Sequence, residues 1–264
     1  MLQVCLNGAR SRAECSQLPV TAEELAVAAR EAVAAGAEDV HLHPKDRAGH
    51  DTLEATAVAA AVSAVRAAVP GIPIGVTTGA WATADPYARA AQVRAWTVLP
   101  DHASVNWHED GATDVAAALL DRGIGIEAGI YSGTPAAQRF LDWPGSRRVL
   151  RVLAEITEAT PHDAFHAAVG LLDELESVAA PILMHGEDTA AWPILQLAAS
   201  RRLDARIGLE DVLHLPDGTP AAGNAALIRA ARQIVQDTHR AAASGAFPLP
   251  HVNGHPPSCR SSDE

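Results

Sequence analysis

Eight short strand-like apolar runs alternate along the chain with longer alanine-rich segments of helical period, and this alternation is the strongest constraint on what the 264 residues can form. The strand-like runs fall at residues 2–6, 39–43, 73–77, 103–106, 125–129, 149–156, 181–184 and 206–209. Helical patterns occupy residues 21–35, 53–69, 85–97, 112–121, 135–141, 163–178 and 190–200 between them. The punctuation agrees with that reading: Thr21 and Glu24 have capping-box spacing, Gly36 stops the first helix, and Pro70-Gly71 closes the second. Repeated strand-helix units join parallel strands through right-handed crossovers, so the expected class is α/β and the expected architecture a (β/α)8 TIM barrel. An open doubly wound sheet is the runner-up; no G-x-G-x-x-G follows the first strand and no P-loop occurs, so the glycine cradles for phosphate are missing.

No linker or internal repeat interrupts the pattern, which implies one catalytic domain over residues 1–250. Residues 251–264, rich in Pro, Ser, Gly and Asn without apolar period, read as a flexible tail. A net charge of −12 argues against nucleic acid or an anionic membrane as partner, because a polyanion is repelled. Cys5, Cys15 and Cys259 are scattered, odd in number and form no C-x-x-C, so neither a disulfide framework nor a cysteine metal site is indicated. With no leader-like start and no apolar run of spanning length, the expected location is the cytoplasm.

The chemistry concentrates at strand ends. In the run Asp39-Val40-His41-Leu42-His43-Pro44, side-chain alternation sends His41 and His43 to one face. Pro44 ends the ladder, so both imidazoles sit at the C-terminal tip, where parallel barrels carry their active sites. In a closed barrel the eighth strand neighbours the first and the first neighbours the second, which makes Glu210 a candidate third ligand. Two imidazoles and a carboxylate leave coordination positions open, a catalytic pattern for Zn2+ that iron or manganese also accept. Arg206, four residues before Glu210 on the same strand, would share its inward face and could hold a substrate carboxylate. Asp211 is either a general base or an orienting or capping group. Glu127, flanked by Ile126 and Ala128, must face a polar cavity or be paired, and Asn106 is in the same position on the fourth strand. His185 and Glu187 read equally as loop-tip groups or ligands, while His108 reads as solvated and His50, His102, His162, His166 and His214 as ordinary.

Taken together, His41-Leu42-His43, Val76-Thr77-Thr78-Gly79, Ser104-Val105-Asn106 and Arg206-Ile207-Gly208-Leu209-Glu210-Asp211 followed by Asn224 resemble the β-keto acid cleavage enzymes, the family typified by 3-keto-5-aminohexanoate cleavage enzymes. The resemblance runs to about Gln236. It implies a zinc-dependent TIM barrel, a homo-oligomer (dimer or tetramer), that takes a β-keto acid and acetyl-CoA to acetoacetate and a new acyl-CoA. It also implies His41, His43 and Glu210 as metal ligands, Arg206, Asp211 and Glu127 as catalytic groups, and Thr77, Thr78 and Asn106 as substrate contacts. One position departs from the pattern: where amino-keto acid enzymes carry an acid after the first-strand Gly-Ala pair, this chain has Arg10 after Gly8-Ala9. That reverses the local sign and points Arg10 at a substrate whose side chain is neutral or carries a second carboxylate; an ion pair with Glu14 or Asp46 is the plain structural alternative. Two other functions fit the same barrel: a metal-dependent keto-acid lyase or aldolase that needs no CoA, and a non-catalytic binding protein.

Overall fold

A computed structural model describes residues 1–244; the tail expected over 251–264, with Cys259, lies outside the described residues. Eight strands, β1 (Leu2–Cys5), β2 (Asp39–Leu42), β3 (Ile74–Val76), β4 (His102–Asn106), β5 (Gly125–Tyr131), β6 (Arg151–Ile156), β7 (Ile182–Gly186) and β8 (Asp204–Ile207), alternate with eight helices. The helices are α1 (Ala22–Ala35), α2 (Ala55–Ala68), α3 (Pro86–Ala95), α4 (Ala112–Asp121), α5 (Ala136–Leu141), α6 (Pro161–Glu174), α7 (Ala191–Arg201) and α8 (Asn224–Ala243). All strand pairs are parallel, in the order β1 to β8, and β8 pairs back onto β1 to close the barrel. The architecture is the (β/α)8 TIM barrel, not the open sheet.

Local chemistry sets the helix limits. The Thr21 hydroxyl accepts the Glu24 amide while the Glu24 carboxylate accepts the Thr21 amide, completing the capping box of α1, and Gly36 ends that helix in the left-handed region at φ 109°. Among the described residues, no helix is long and apolar enough to cross a membrane.

Side-chain alternation sorts the strand residues onto two unlike faces. Val4, Val40, Leu42, Ile74, Val76, Val105, Ile126, Ile130, Val152, Ile156 and Ile207 are fully or almost fully buried in the core formed with the helices. Each such burial contributes about 1.5–3 kcal/mol. The residues of opposite parity point into the barrel, and many of them are polar. Gln3 of β1 reaches Glu127 of β5 at 3.1 Å, and Arg151 of β6 reaches Asp39 of β2 at 2.9 Å, contacts between opposite strands that can form only through the interior.

These residues make a charged floor. Arg151 Nε donates to Glu127 Oε2 at 2.6 Å, Gln3 donates to Asp39 at 3.0 Å, and His102 Nε2 lies 3.0 Å from Asp39 Oδ1. Burial by itself would raise the Glu127 pKa, but Arg151, with His102, His41 and Arg206, outweighs it and holds the group down at about 2. His102, ordinary by its sequence context, is therefore a fully buried member of an ionic network.

Candidate metal centre and active site

His41 and His43 lie where β2 ends, their rings 5.3 Å apart and both almost wholly buried. Glu210 arrives from the other side of β1. His41 Nε2 is 3.9 Å from Glu210 Oε2 and His43 Nε2 is 3.6 Å from Glu210 Oε1. One donor atom from each of the three residues lies within 4.8 Å of the others, and among the described residues this is the one group of three or more His, Cys, Asp or Glu so arranged.

The route of Glu210 to this point differs from the sequence expectation. Strand β8 ends at Ile207, earlier than expected, so Arg206 and Glu210 do not share an inward face by alternation along one strand. Instead the chain turns at Gly208, whose carbonyl accepts the amides of Asp211 and Val212. Only glycine fits there, because a Cβ would stand 1.8 Å from the Cys5 carbonyl oxygen. The turn brings Glu210 back over Arg206, whose Nη2 donates to Glu210 Oε1 at 2.7 Å and to Asp211 Oδ1 at 3.2 Å.

A divalent cation fits this donor set. Among the described residues Glu210 Oε2 is buried without a hydrogen-bond partner, although charge and burial demand one. Burial pushes the His41 pKa down to about 4, against the pull of Glu210, so a neutral imidazole faces the cluster. For His43, burial acts in the same direction but Glu210 and Asp51 overcome it and push the pKa up to about 9. Asp51 Oδ2 lies 2.8 Å from His43 Nδ1 and thereby leaves Nε2 for a ligand, the usual carboxylate–histidine support of a metal site. Lys45, almost fully buried, pairs with the other oxygen of Asp51 and donates to the Gly8 carbonyl at 2.6 Å. Trp81 stacks on the His43 ring at 5.9 Å and is half exposed.

Asp211 does not cap a turn with its side chain. Buried on β8's exit loop, its Oδ1 is shared by Arg206 and by His185 Nδ1 at 3.1 Å, while Oδ2 has no partner among the described residues. The His185 contact is within ion-pair reach but off hydrogen-bond alignment. His185 is not a loop-tip group: it lies inside β7, 1% exposed, with Nε2 against Glu155 of β6. Burial and the Arg206 charge oppose a proton on His185, yet Glu155 and Asp211 prevail and push its pKa up to about 10.

The remaining candidates divide. Thr77 is buried and accepts the Gly79 amide, Thr78 donates to the Ser104 carbonyl at 2.6 Å, and Asn106 donates to Glu109 at 2.9 Å. Thr78 thus spends its hydroxyl donor on the protein, while the Asn106 amide commits one of its two N–H groups and keeps the other. Among the described residues the side-chain hydrogen bonds of Glu127 lie in the floor network, with Arg151 and Gln3 on Oε2, and Oε1 has no partner. Arg10 donates to the Glu210 carbonyl at 2.9 Å and to Asp188 at 2.7 Å, with Glu14 at 3.8 Å; Asp188 in place of Asp46 is its main ionic partner. His108 is half buried edge-on to Tyr131. Nothing in the sequence around Asp51 and Trp81 marks them, whereas Glu155 among Leu153, Ala154 and Ile156 carries the same signal as Glu127.

Fold and site together define a class: a (β/α)8 barrel with a two-imidazole, one-carboxylate cluster, able to hold a metal ion, at the C-terminal mouth. The family model for beta-keto acid cleavage enzymes matches residues 1–139 and 144–247, and the chain belongs to that family. Among solved structures the apo structure of ObcA is similar with a TM-score of 0.63 and 17% identity, over 88% of this chain and 63% of that one. The 3-dehydroquinate dehydratase of Geobacillus kaustophilus HTA426 aligns with a TM-score of 0.57 and 11% identity, over 90% of this chain and 91% of that one. The Amycolatopsis orientalis BexX/CysO complex gives 0.57 and 13%, over 96% and 94%. At these identities the likeness is one of fold, and the chain spans under two thirds of the length of ObcA.

Proposed function

We propose that the protein is a zinc-dependent β-keto acid cleavage enzyme that uses acetyl-CoA as co-substrate and yields acetoacetate and a new acyl-CoA. The observation that carries this reading is the convergence of His41, His43 and Glu210 beside Arg206 and a buried Asp211, in a chain of this family. His41 Nε2, His43 Nε2 and Glu210 would hold the zinc. When bound, the ion would supply Lewis acidity toward the keto oxygen of the substrate.

The chain's own groups supply the rest. Arg206 commits Nη2 to Glu210 and Asp211, and its Nε has no partner among the described residues, so the guanidinium keeps donor capacity for the substrate carboxylate. Asp211 Oδ2 is the acceptor left free to take a proton next to the keto group, and burial keeps water from competing for it. In this reading Thr77 and Asn106 contribute to the substrate pocket, while Thr78 and Glu127 support its walls and floor.

Arg10 bears on the substrate class. With Asp188 and Glu14 beside it, its charge is already offset, which favours a neutral substrate side chain over a second carboxylate. Asp188 and Glu14 are engaged by Arg10, so neither carboxylate is left free to meet an ammonium-bearing side chain, which is disfavoured. The reading extends to a cytoplasmic homo-oligomer, dimer or tetramer, as the family resemblance implies.

The test is metal analysis of the purified protein, followed by turnover of a panel of β-keto acids with and without acetyl-CoA. Bound zinc and CoA-ester exchange, highest with neutral side chains, are the expected results. Cleavage to free products without CoA would assign the lyase alternative. Metal retained with no turnover across the panel would favour a binding protein, and 3-keto-5-aminohexanoate turned over faster than neutral or dicarboxylic acids would overturn the role given to Arg10.

A further inference from the structure

Three adjacent strands deliver Glu155, His185 and Asp211 to one line: Glu155 and His185 are register partners on β6 and β7, and Asp211 follows β8. All three are at most 3% exposed. Nε2 of His185 meets Glu155 and Nδ1 stands 3.1 Å from Asp211 Oδ1, within ion-pair reach though off hydrogen-bond alignment, so an imidazole carrying both protons faces an acidic side chain at each nitrogen. The inner end of the line is Oδ1 of Asp211, and the opposite oxygen of the same carboxylate is the one without a partner.

We infer that His185, held by Glu155, is a positioning residue that fixes the Asp211 carboxylate with Oδ2 presented to substrate. The inference rests on Asp211 as the base of the proposed reaction. Arg206 cannot fix the carboxylate unaided, because its single nitrogen at 3.2 Å from Oδ1 is shared with Glu210 and leaves rotation about the Asp211 side chain open. A second contact to Oδ1, from another strand, removes that freedom. A general base misplaced by about 1 Å loses on the order of a hundredfold in rate, so this restraint has a kinetic value that packing alone would not.

Two substitutions separate positioning from mere neutralisation of Glu155. The amide nitrogen of Asn occupies the place of Nδ1, toward Asp211, whereas that of Gln reaches the place of Nε2, toward Glu155. With the full-length, metal-loaded protein, His185→Gln should lower kcat about a hundredfold at unchanged KM and metal content. His185→Asn should stay within about tenfold of wild type. Equal losses in the two variants, or no loss in either, would overturn the inference. Low-field proton NMR supplies a readout independent of turnover: the wild type should show two imidazole N–H resonances, and Asp211→Asn should shift one and spare the other. Insensitivity of both resonances would sink the inference even in an active enzyme, while the expected shift in a protein inert toward β-keto acids would uphold the contact and count against the proposed reaction instead.

Discussion

Replacing Asp51 by Asn isolates the support of the proposed metal site without touching a proposed ligand. The carboxylate is 5% exposed and binds two groups, His43 Nδ1 at 2.8 Å and the buried Lys45 ammonium. The amide oxygen of Asn can still accept from Nδ1, so ring orientation survives, but the negative charge that strengthens Nε2 as a donor is lost. Losing such a partner weakens metal binding by roughly 10- to 100-fold, or about 1.4–2.7 kcal/mol. Lys45 is then left facing carbonyls and a neutral amide, and removal of one partner from a buried ion pair costs about 3–5 kcal/mol of folding stability. The two effects separate by assay: zinc affinity from competition with a chromophoric chelator, and stability from denaturant unfolding of the metal-free protein. Zinc affinity within threefold of wild type in a folded Asp51→Asn variant would refute the argument that Asp51 tunes the site through His43.

Other expectations follow from the same geometry. His41→Ala should lose stoichiometric metal by elemental analysis while retaining wild-type circular dichroism, because tip residues add little to the core; undiminished zinc would contradict the ligand assignment. Asp211→Asn should keep its metal and lose deuterium exchange into the β-keto acid, measured by NMR in heavy water. Arg151→Met strands Asp39 and Glu127 in the floor and should cost about 3–5 kcal/mol in denaturant unfolding. For pH, Glu127 has an ordinary value of 4.5 and is held at about 2 in the fold, so its contribution is complete above pH 4.5 and is lost as pH falls toward 2. That difference corresponds to about 3 kcal/mol, and Glu127→Gln should flatten the acid limb of the stability curve over that interval; an unchanged limb would place the acid sensitivity elsewhere.

The alternation of strand and helix, the caps at Thr21 and Gly36, and the two histidines at a strand tip were all readable in the chain, because each depends on residues a few positions apart whose backbone geometry sets side-chain direction. Closure of the barrel follows from that alternation, and with it the meeting of β2 and β8 on either side of β1. What only the folded chain decided are contacts between distant residues: Asp51 behind His43, Asp188 on Arg10, and Glu155, His185 and Asp211 in line across three strands. The early end of β8 belongs to the same set, since the turn that carries Glu210 over Arg206 exists because Gly208 lets the Cys5 carbonyl come close. Periodicity tells a side chain which face to take, whereas its partner on that face depends on how far each strand is shifted against the next and on where loops return, quantities that only packing of the whole barrel determines.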